Sequence, residues 1–546
     1  MNRDRRVRVY NAHSWTGISL GIFLFVVCFT GSLALFDHEI QTWEDPARQL
    51  PNVENPVPVQ PLMTEMLNDL PEGEITFVGV NYPSEFEPYY TGMVNHRVEG
   101  EPIDFIRKRW DPATGAELPD RGDGLSTWLL DFHRDLMWPD FLGGRQIGRG
   151  LVGIAGVIML LSIVTGVLTH RKILKEAFTF RREKSIRVKW KDAHNFLGIW
   201  SLPFSTVIAF TGAWLGIVAL LLPITGLLVF KGDTEAVAEV VIGEPNEATG
   251  VAAPMLSLDD VAKRPHSDSG ELPVFVSIAN WGDETAQYTV QYKPDTELMY
   301  YETETISGVT GETVKTTGLT PDTASGRVLA AIAPLHYGTY GGILLKFLYL
   351  ALGIALSIMV ALGNMVWIER RANSAEGNKS PAFYQRLSRF TVGACLGVVA
   401  ASPAIFYADV IFAGDEASRI VTIGQTYFAV WALVLVAAML IKNAYQSTRI
   451  ILGFTGVLLL GVPVIAALVN QQMPWSVLAA GHTAAPAVDM VLILLGAACL
   501  IVAARLPKQR IEQERKRKNR KVAPAANDAD TDEVDAVAAT PAIAGS

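Results

Sequence analysis

The sequence predicts an all-α polytopic membrane bundle of about eight transmembrane helices, with two small α+β modules outside the bilayer. Three observations lead there. Half of the 546 residues are hydrophobic and only 18% are charged, whereas a soluble chain of this length divides into several more highly charged domains. The apolar residues cluster near 14–36, 147–169, 197–230, 342–368, 390–412, 421–441, 448–469 and 486–505, runs that reach the roughly 20 residues a bilayer crossing needs. Finally, Arg and Lys gather in alternate connections between these runs.

Arg3, Arg5, Arg6 and Arg8 precede the first run, which reads as an uncleaved anchor because its apolar stretch is long for a signal peptide. Arg171, Lys172, Lys175, Arg181, Arg182, Lys184, Arg187, Lys189 and Lys191 fill the connection after the second. Arg370, Arg371, Arg386 and Arg389 follow the fourth, and Lys508, Arg510 and Arg515–Lys518 follow the eighth. All fall on one side of an eight-span chain, so both termini are expected in the cytoplasm and the long acidic loops outside. The third run is longer than a bilayer needs and contains Pro203 and Pro223, so a tilt or kink is expected. The three cysteines, Cys28, Cys395 and Cys499, lie inside runs and read as packing residues.

The expected organisation is a first span with its flanks at 8–45, an external module at 46–125 and a second span at 126–175. A third span at 193–231, a second module at 250–320 and a fourth span at 330–372 follow. An accessory four-helix membrane domain at 386–506 and a basic, then acidic, disordered cytoplasmic tail at 507–546 complete the chain. The net charge of −9 comes partly from that tail.

An internal duplication underlies the first four spans. Ala12-His13 returns as Ala193-His194, Gly17-Ile18 as Gly198-Ile199, and Phe29-Thr30-Gly31 as Phe210-Thr211-Gly212, all offset by 181 positions. His133 with Gly143-Gly144 answers more loosely to His336 with Gly341-Gly342. Each copy begins on the same side, so the repeats are parallel about an axis near the membrane normal.

Six of the nine histidines sit at ends of these spans: His13, His170 and His194 on the inner side, and His38, His133 and His336 on the outer. Such residues at membrane depth are a functional hypothesis by default. Imidazoles from neighbouring helices, in two layers, suit bis-histidine haem iron. His13 with His194 and His133 with His336 are the repeat-equivalent pairs; His170 competes for the inner layer and His38 for the outer. Their counterparts in the other repeat are Ile368 and Ala219. The competing reading is that interface histidines bond lipid headgroups or backbone carbonyls.

Phe23, Phe25, Phe29, Phe204, Phe210 and Trp214 lie at intermediate depth, as packing or, less simply, as a relay between the layers. Asp131 and Asp135 flank His133 either as interface charges or as groups orienting its ring. Trp128, Trp138, Tyr337 and Tyr340 suit an outer aromatic belt. His96 and His266 read as surface residues of the modules, and His482 has no sequence partner.

Each external loop has an amphipathic stretch, Leu62–Leu70 or Leu256–Lys263, ahead of three strand-like runs. The runs lie near 75–81, 88–95 and 104–110 in the first and near 273–279, 286–292 and 298–306 in the second. Closing turns contain Gly115 and Gly311, suited to positive φ.

Residues 8–372 resemble the PepSY-associated transmembrane proteins, also described as iron-regulated or siderophore-reductase-like membrane proteins. The resemblance rests on the Ala-His openings and Phe-Thr-Gly repeats, the Thr-Gly turns, Leu335-His336-Tyr337-Gly338 ahead of Gly341-Gly342, and the basic exit after span four. It implies a bacterial inner-membrane location, PepSY-like periplasmic modules and haem-dependent electron transfer to ferric siderophores. Spans five to eight resemble an accessory domain carried by some members.

The expectation is therefore a reductase with two b-type haems, since no Cys-x-x-Cys-His attachment motif occurs. No Gly-rich stretch follows a strand and opens a helix as a dinucleotide fingerprint requires, Gly148-x-Gly150-x-x-Gly153 lying inside the second apolar run, and Walker and His-Glu-x-x-His motifs are missing from the sequence, so a quinol or a separate cytoplasmic-side protein would supply electrons. The partners are lipid, that donor and a ferric siderophore or other periplasmic acceptor, with no nucleic acid. A membrane-anchored PepSY protein that binds or modulates peptidases, or an iron-chelate permease, are the alternatives.

Overall fold

The computed structural model describes residues 2–507 except 85, 99, 123, 171, 182–184, 230, 232–247, 267–268, 294–301, 318–323, 373–379, 413–415, 472 and 480. The expected C-terminal tail from residue 508, together with Arg171, Arg182 and Lys184, lies outside the described residues.

Eight helices among the described residues are long and apolar enough to cross a membrane. The first four such helices are α1 (Arg3–Ala34), α5 (Gly144–Thr169), α8 (Leu202–Val229) and α11 (Gly342–Ala372). Shorter helices serve them: α2 (Asp37–Glu44), α3 (Val59–Asn68), α4 (Leu125–Asp135), α6 (Ile173–Glu176), α7 (Ile186–Trp200), α9 (Leu258–Val261) and α10 (Ala324–Tyr337). The long third run breaks between α7 and α8 at Ser201, two residues before Pro203. Proline has no N–H to donate to the previous turn, so a new helix starts there. Glycines let α5 and α8 meet backbone to backbone: a Cβ on Gly216 would lie 2.5 Å from Arg149 O, and one on Gly153 would lie 2.7 Å from Ile217 N.

The remaining helices are α12 (Pro381–Ile411), α13 (Glu416–Leu440), α14 (Ala444–Asn470), α15 (Pro474–Ala479) and α16 (Ala484–Arg505). They share one apolar core with α1, α2 and α4, in which Phe25, Phe29, Trp43, Trp128 and Phe132 meet Ile405, Phe406, Tyr427 and Leu459. Trp128 is thus interior, 1% exposed and 4.7 Å from the Tyr427 ring, rather than part of an aromatic belt. The belt expectation placed Trp128 by its distance from span two, without the partner that covers it.

Outside the helices the strands are β1 (Glu74–Asn81), β2 (Tyr90–Arg97), β3 (Asp104–Trp110), β4 (Glu117–Leu118), β5 (Pro273–Ala279), β6 (Gln287–Tyr292), β7 (Glu302–Ser307) and β8 (Thr313–Thr317). They form a single eight-stranded sheet in the order β4-β3-β2-β1-β5-β6-β7-β8. The two modules join at their first strands, with Val78 opposite Ile278 and Val80 opposite Val276 in antiparallel register. Each module has a short fourth strand beyond the three expected, and part of the expected 298–306 run lies outside the described residues. Gly115 and Gly311 take φ of 76° and 73°, as their turn positions require.

Helices α3 and α9 cover one face of the sheet, burying Met63 and Met66 with Leu258 and Val261 against Val78, Val80, Val276 and Val290. The modules also cap each other's helices. Asp259 accepts from Val59 N (2.7 Å) and Gln60 N (3.3 Å), while Gln60 Oε1 accepts from Leu258 N (2.9 Å). His96 and His266, expected at the surface, are buried, each within its own module: His96 lies against Gly73 and His266 against the Tyr292 ring. Met63 is fully buried against β2, so Met63→Ala should destabilise the sheet unit by about 2–5 kcal/mol. Denaturant unfolding followed by proteolysis within residues 46–320 measures that loss, while cleavage within the spans should be unchanged.

Candidate functional site

Histidines from four helices meet in two pairs. The ring of His13 on α1 lies 6.3 Å from that of His194 on α7, with the planes 65° apart. The ring of His133 on α4 lies 6.2 Å from that of His336 on α10, nearly parallel at 18°. The second pair is on the side of the bundle that carries the sheet, since α1 and α8 lead into the sheet's two halves and α4 and α10 lead out of them. The first pair is at the opposite ends of the same spans.

All four rings are held in one way. His13 Nδ1 donates to Ser162 O (3.0 Å), His133 Nδ1 to Val27 O (3.0 Å) and His194 Nδ1 to Met359 O (2.8 Å). For His336 the partners are Ile208 O and Thr211 Oγ1, at 2.9 Å. The Thr211 hydroxyl gives its own proton to Val207 O, so His336 Nδ1 must be the donor.

Each of these carbonyls lies four positions before a glycine on the facing helix: Gly166, Gly31, Gly363 and Gly212. A Cβ there would sit 3.3, 2.6, 3.1 and 2.9 Å from Cε1 of His13, His133, His194 and His336 respectively. The glycine makes the notch and the carbonyl one turn below fixes the tautomer. Each neutral ring keeps an Nε2 lone pair, the state in which imidazole ligates a metal.

The Phe-Thr-Gly repeat thus has a structural role that its recurrence alone did not reveal. Thr165-Gly166 repeats the same dipeptide opposite His13, with Thr165 Oγ1 3.4 Å from its Nδ1. That third copy was available in the sequence as a signal. Among the described residues no group of three or more His, Cys, Asp or Glu is placed to hold a metal ion.

The other two candidate histidines bond elsewhere, although His170 is near enough to His13 and His194 to act on both electrostatically. His170 caps the end of α5 and its Nδ1 lies 2.5 Å from Glu176 Oε2, which also accepts from Asn195 Nδ2 at 3.0 Å. His38 is on α2 and stacks on Phe86 at 5.1 Å, facing the module. A turn at Leu35 and Phe36 separates α2, which carries His38, from α1. Asp131 pairs with Arg134 and Arg145, and Asp135 with Arg145; neither orients His133, whose Nδ1 is already taken.

Between the layers the four spans are packed solid by Leu24, Ala155, Met159, Ala209 and Leu356, with Phe23 and Phe204 against them. Phe25 and Phe29 turn instead toward the last four spans, and Phe210 and Trp214 are exposed on the bundle's outside. The aromatic set is therefore divided among three environments rather than lined up as a stripe.

Comparison with known proteins places this architecture. The profile of the PepSY-associated TM region matches residues 10–370. A Pseudomonas aeruginosa protein of uncharacterised activity is 28% identical over 388 residues, covering 68% of this chain and 92% of its own length.

Beside the sheet-side pair, Glu44 is buried where α2 meets α4. Burial above all, and then the negative charge of Asp409, pushes its carboxyl up to about 7, against the hydrogen bonds and Arg419 that favour ionisation.

Proposed function

This chain belongs to the PepSY-associated transmembrane family, and we propose that it conducts electrons across a membrane through two b-type haems to a ferric chelate. His13 and His194 would hold one haem, and His133 and His336 the other. The multi-pass bundle supplies the scaffold, and the paired rings are the observation that carries the reading.

The donor set fits haem better than a bare ion. A structural zinc takes four protein ligands, whereas each pair here offers two imidazoles, 6.3 and 6.2 Å apart between ring centroids, as suits a metal whose other donors come with its cofactor. Haem would supply one-electron redox chemistry at its iron, tuned by ligand orientation and burial. The notches in α1, α5, α8 and α11 hold the four rings with the proton on Nδ1, so that each neutral ring presents Nε2 as its donor atom.

Along α1, His13 and the Val27–Gly31 notch are about 21–27 Å apart at 1.5 Å per residue, so the two sites lie near opposite faces of a bilayer. The interior between them is filled by apolar side chains, among them Leu24, Met159 and Leu356; this favours electron transfer over a permease. Basic connections on the His13 side favour an inner membrane with both termini in the cytoplasm and the sheet in the periplasm. Electrons would then enter from a quinol or a cytoplasmic-side protein and leave at the sheet side, to a ferric siderophore. Reduction of the iron weakens its hold on hard oxygen ligands and releases the metal.

Pyridine haemochrome analysis of the purified protein should give about two b haems per chain, and the untreated protein should show the low-spin spectrum of bis-histidine ligation. His13→Ala or His194→Ala should remove or convert to high spin one set of bands, and His133→Ala or His336→Ala the other. Either lesion should stop reduction of an external ferric chelate. Haem-free protein after expression with haem supplied, or four variants with wild-type spectra, would overturn the assignment.

A further inference from the structure

The helix that carries His133 does not hold its own position. Helix α4 has eleven residues, begins at Gly124 and has no side-chain cap of its own, and so short a helix is marginal alone. Its first-turn donors are satisfied from α2: Glu44 Oε2 accepts from Leu125 N (2.6 Å), and Glu44 Oε1 accepts from Ser126 N (3.3 Å) and the Ser126 hydroxyl.

That carboxylate is gripped from the last four spans. Arg419, near the start of α13, reaches Glu44 Oε2 with Nη2 (3.2 Å) and holds Asp409 of α12 through Nε (2.8 Å) and Nη2 (2.7 Å). Its Nη1 donates to Arg121 O, just ahead of α4, at 3.2 Å. Arg419 is 2% exposed, Asp409 1% and Glu44 7%. Two turns on, Trp128 and Phe132 pack against Tyr427 and Phe428 of the same α13 in tilted and edge-to-face contacts, while His133 turns the other way into the α1 notch. Helix α10, the repeat partner that carries His336, lies instead against α8, with Tyr349 of α11 donating to Leu335 O at 3.0 Å.

We infer that Arg419 is a positioning residue for the sheet-side redox site, and that the last four spans serve as a clamp setting the height and tilt of His133. The inference rests on the reading of His133 as a haem ligand. Arg419 touches neither the histidine nor any group bound to it. It acts through the Glu44 cap and the seating of α4, so it bears on one layer and leaves the His13–His194 layer alone.

The test uses the full-length holoprotein with Arg419→Ala, Arg419→Lys and Arg389→Ala. Arg389 ties α12 to the far end of α13 by donating to Met439 O and Ile441 O, so its loss loosens the same domain at a distance from α4. Arg419→Ala should shift the spectrum and midpoint potential of the sheet-side haem, up to loss of one haem in two, with the other haem's bands unchanged. Hydrogen exchange of residues 125–135 should rise with it. Arg419→Lys should restore part of both signals, and Arg389→Ala should lower the melting temperature while leaving them as in wild type. Wild-type spectra and exchange in Arg419→Ala, or equal disturbance of both haems, would overturn the clamp. If Arg419→Ala does not fold, the comparison of Arg419→Lys with Arg389→Ala decides: a sheet-side shift in the former alone supports it, and equal spectra overturn it. A wild-type protein without haem defeats the underlying ligand assignment instead, and the exchange measurement on α4 still reads the clamp.

Discussion

A histidine ring pressed into a glycine notch, its Nδ1 bonded to the carbonyl one turn below, is the contact on which the membrane core depends. A buried imidazole must satisfy its N–H or lose roughly the desolvation cost of an unpaired donor, about 1–3 kcal/mol. Helical carbonyls are already engaged by their own backbone, so a second donor reaches one only where no side chain covers it. Glycine provides that access at Gly31, Gly166, Gly212 and Gly363. The four contacts therefore fix which helices are neighbours: α1 with α5 and α4, α7 with α11, and α10 with α8. They also fix the depths at which the rings lie. Since every ring is anchored by the same nitrogen, the four free nitrogens are chemically equivalent, and the two pairs differ in ring tilt and surroundings rather than in protonation.

The duplication is expressed differently on the two sides of this core. Within the membrane each repeat contributes one ring to each pair, so neither repeat makes a pair alone. Outside, the repeats merge through β1 and β5 into one sheet, and each module supplies a cap to the other's helix. Both arrangements make the two halves interdependent. The last four spans break the symmetry: they embrace the first repeat through α1, α2 and α4, and meet the second along α11, at Ile354, Val360 and Ala361.

Much of this was legible in the sequence because hydrophobic length and basic loops report spans directly. The strand runs, Gly115 and Gly311 were legible through turn chemistry, and the equivalence of His13 with His194 through the 181-residue offset. Pairing was harder to read. His38 and His170 sit at the same apparent depth as their neighbours, but depth along a chain does not give direction around a helix. A turn after Ala34 sends His38 toward Phe86, and the end of α5 frees His170 to meet Glu176. The fused sheet was invisible because each module alone has a complete hairpin pattern, and nothing in a strand's alternation says whether its edge is free. Trp128 was misplaced for the same reason, as its cover comes from residues three hundred positions later.

The buried Glu44–Arg419–Asp409 group brings one guanidinium to two carboxylates in a site almost closed to solvent. Replacing such a group by apolar residues is often neutral or stabilising, whereas removing one member costs about 3–5 kcal/mol because a charge is left unpaired. Stability alone is therefore a weak reason for it to exist. Its geometry gives a better one. Apolar packing of Trp128 and Phe132 against α13 resists separation but tolerates small slides along and around the α4 axis. The carboxylate cap and the guanidinium are directional, and they pin the first turn of α4 where a slide would begin. A ring at the far end of an eleven-residue helix moves with any tilt at its start. The apolar contacts keep α4 against the bundle, and the ionic group determines where on the bundle it rests.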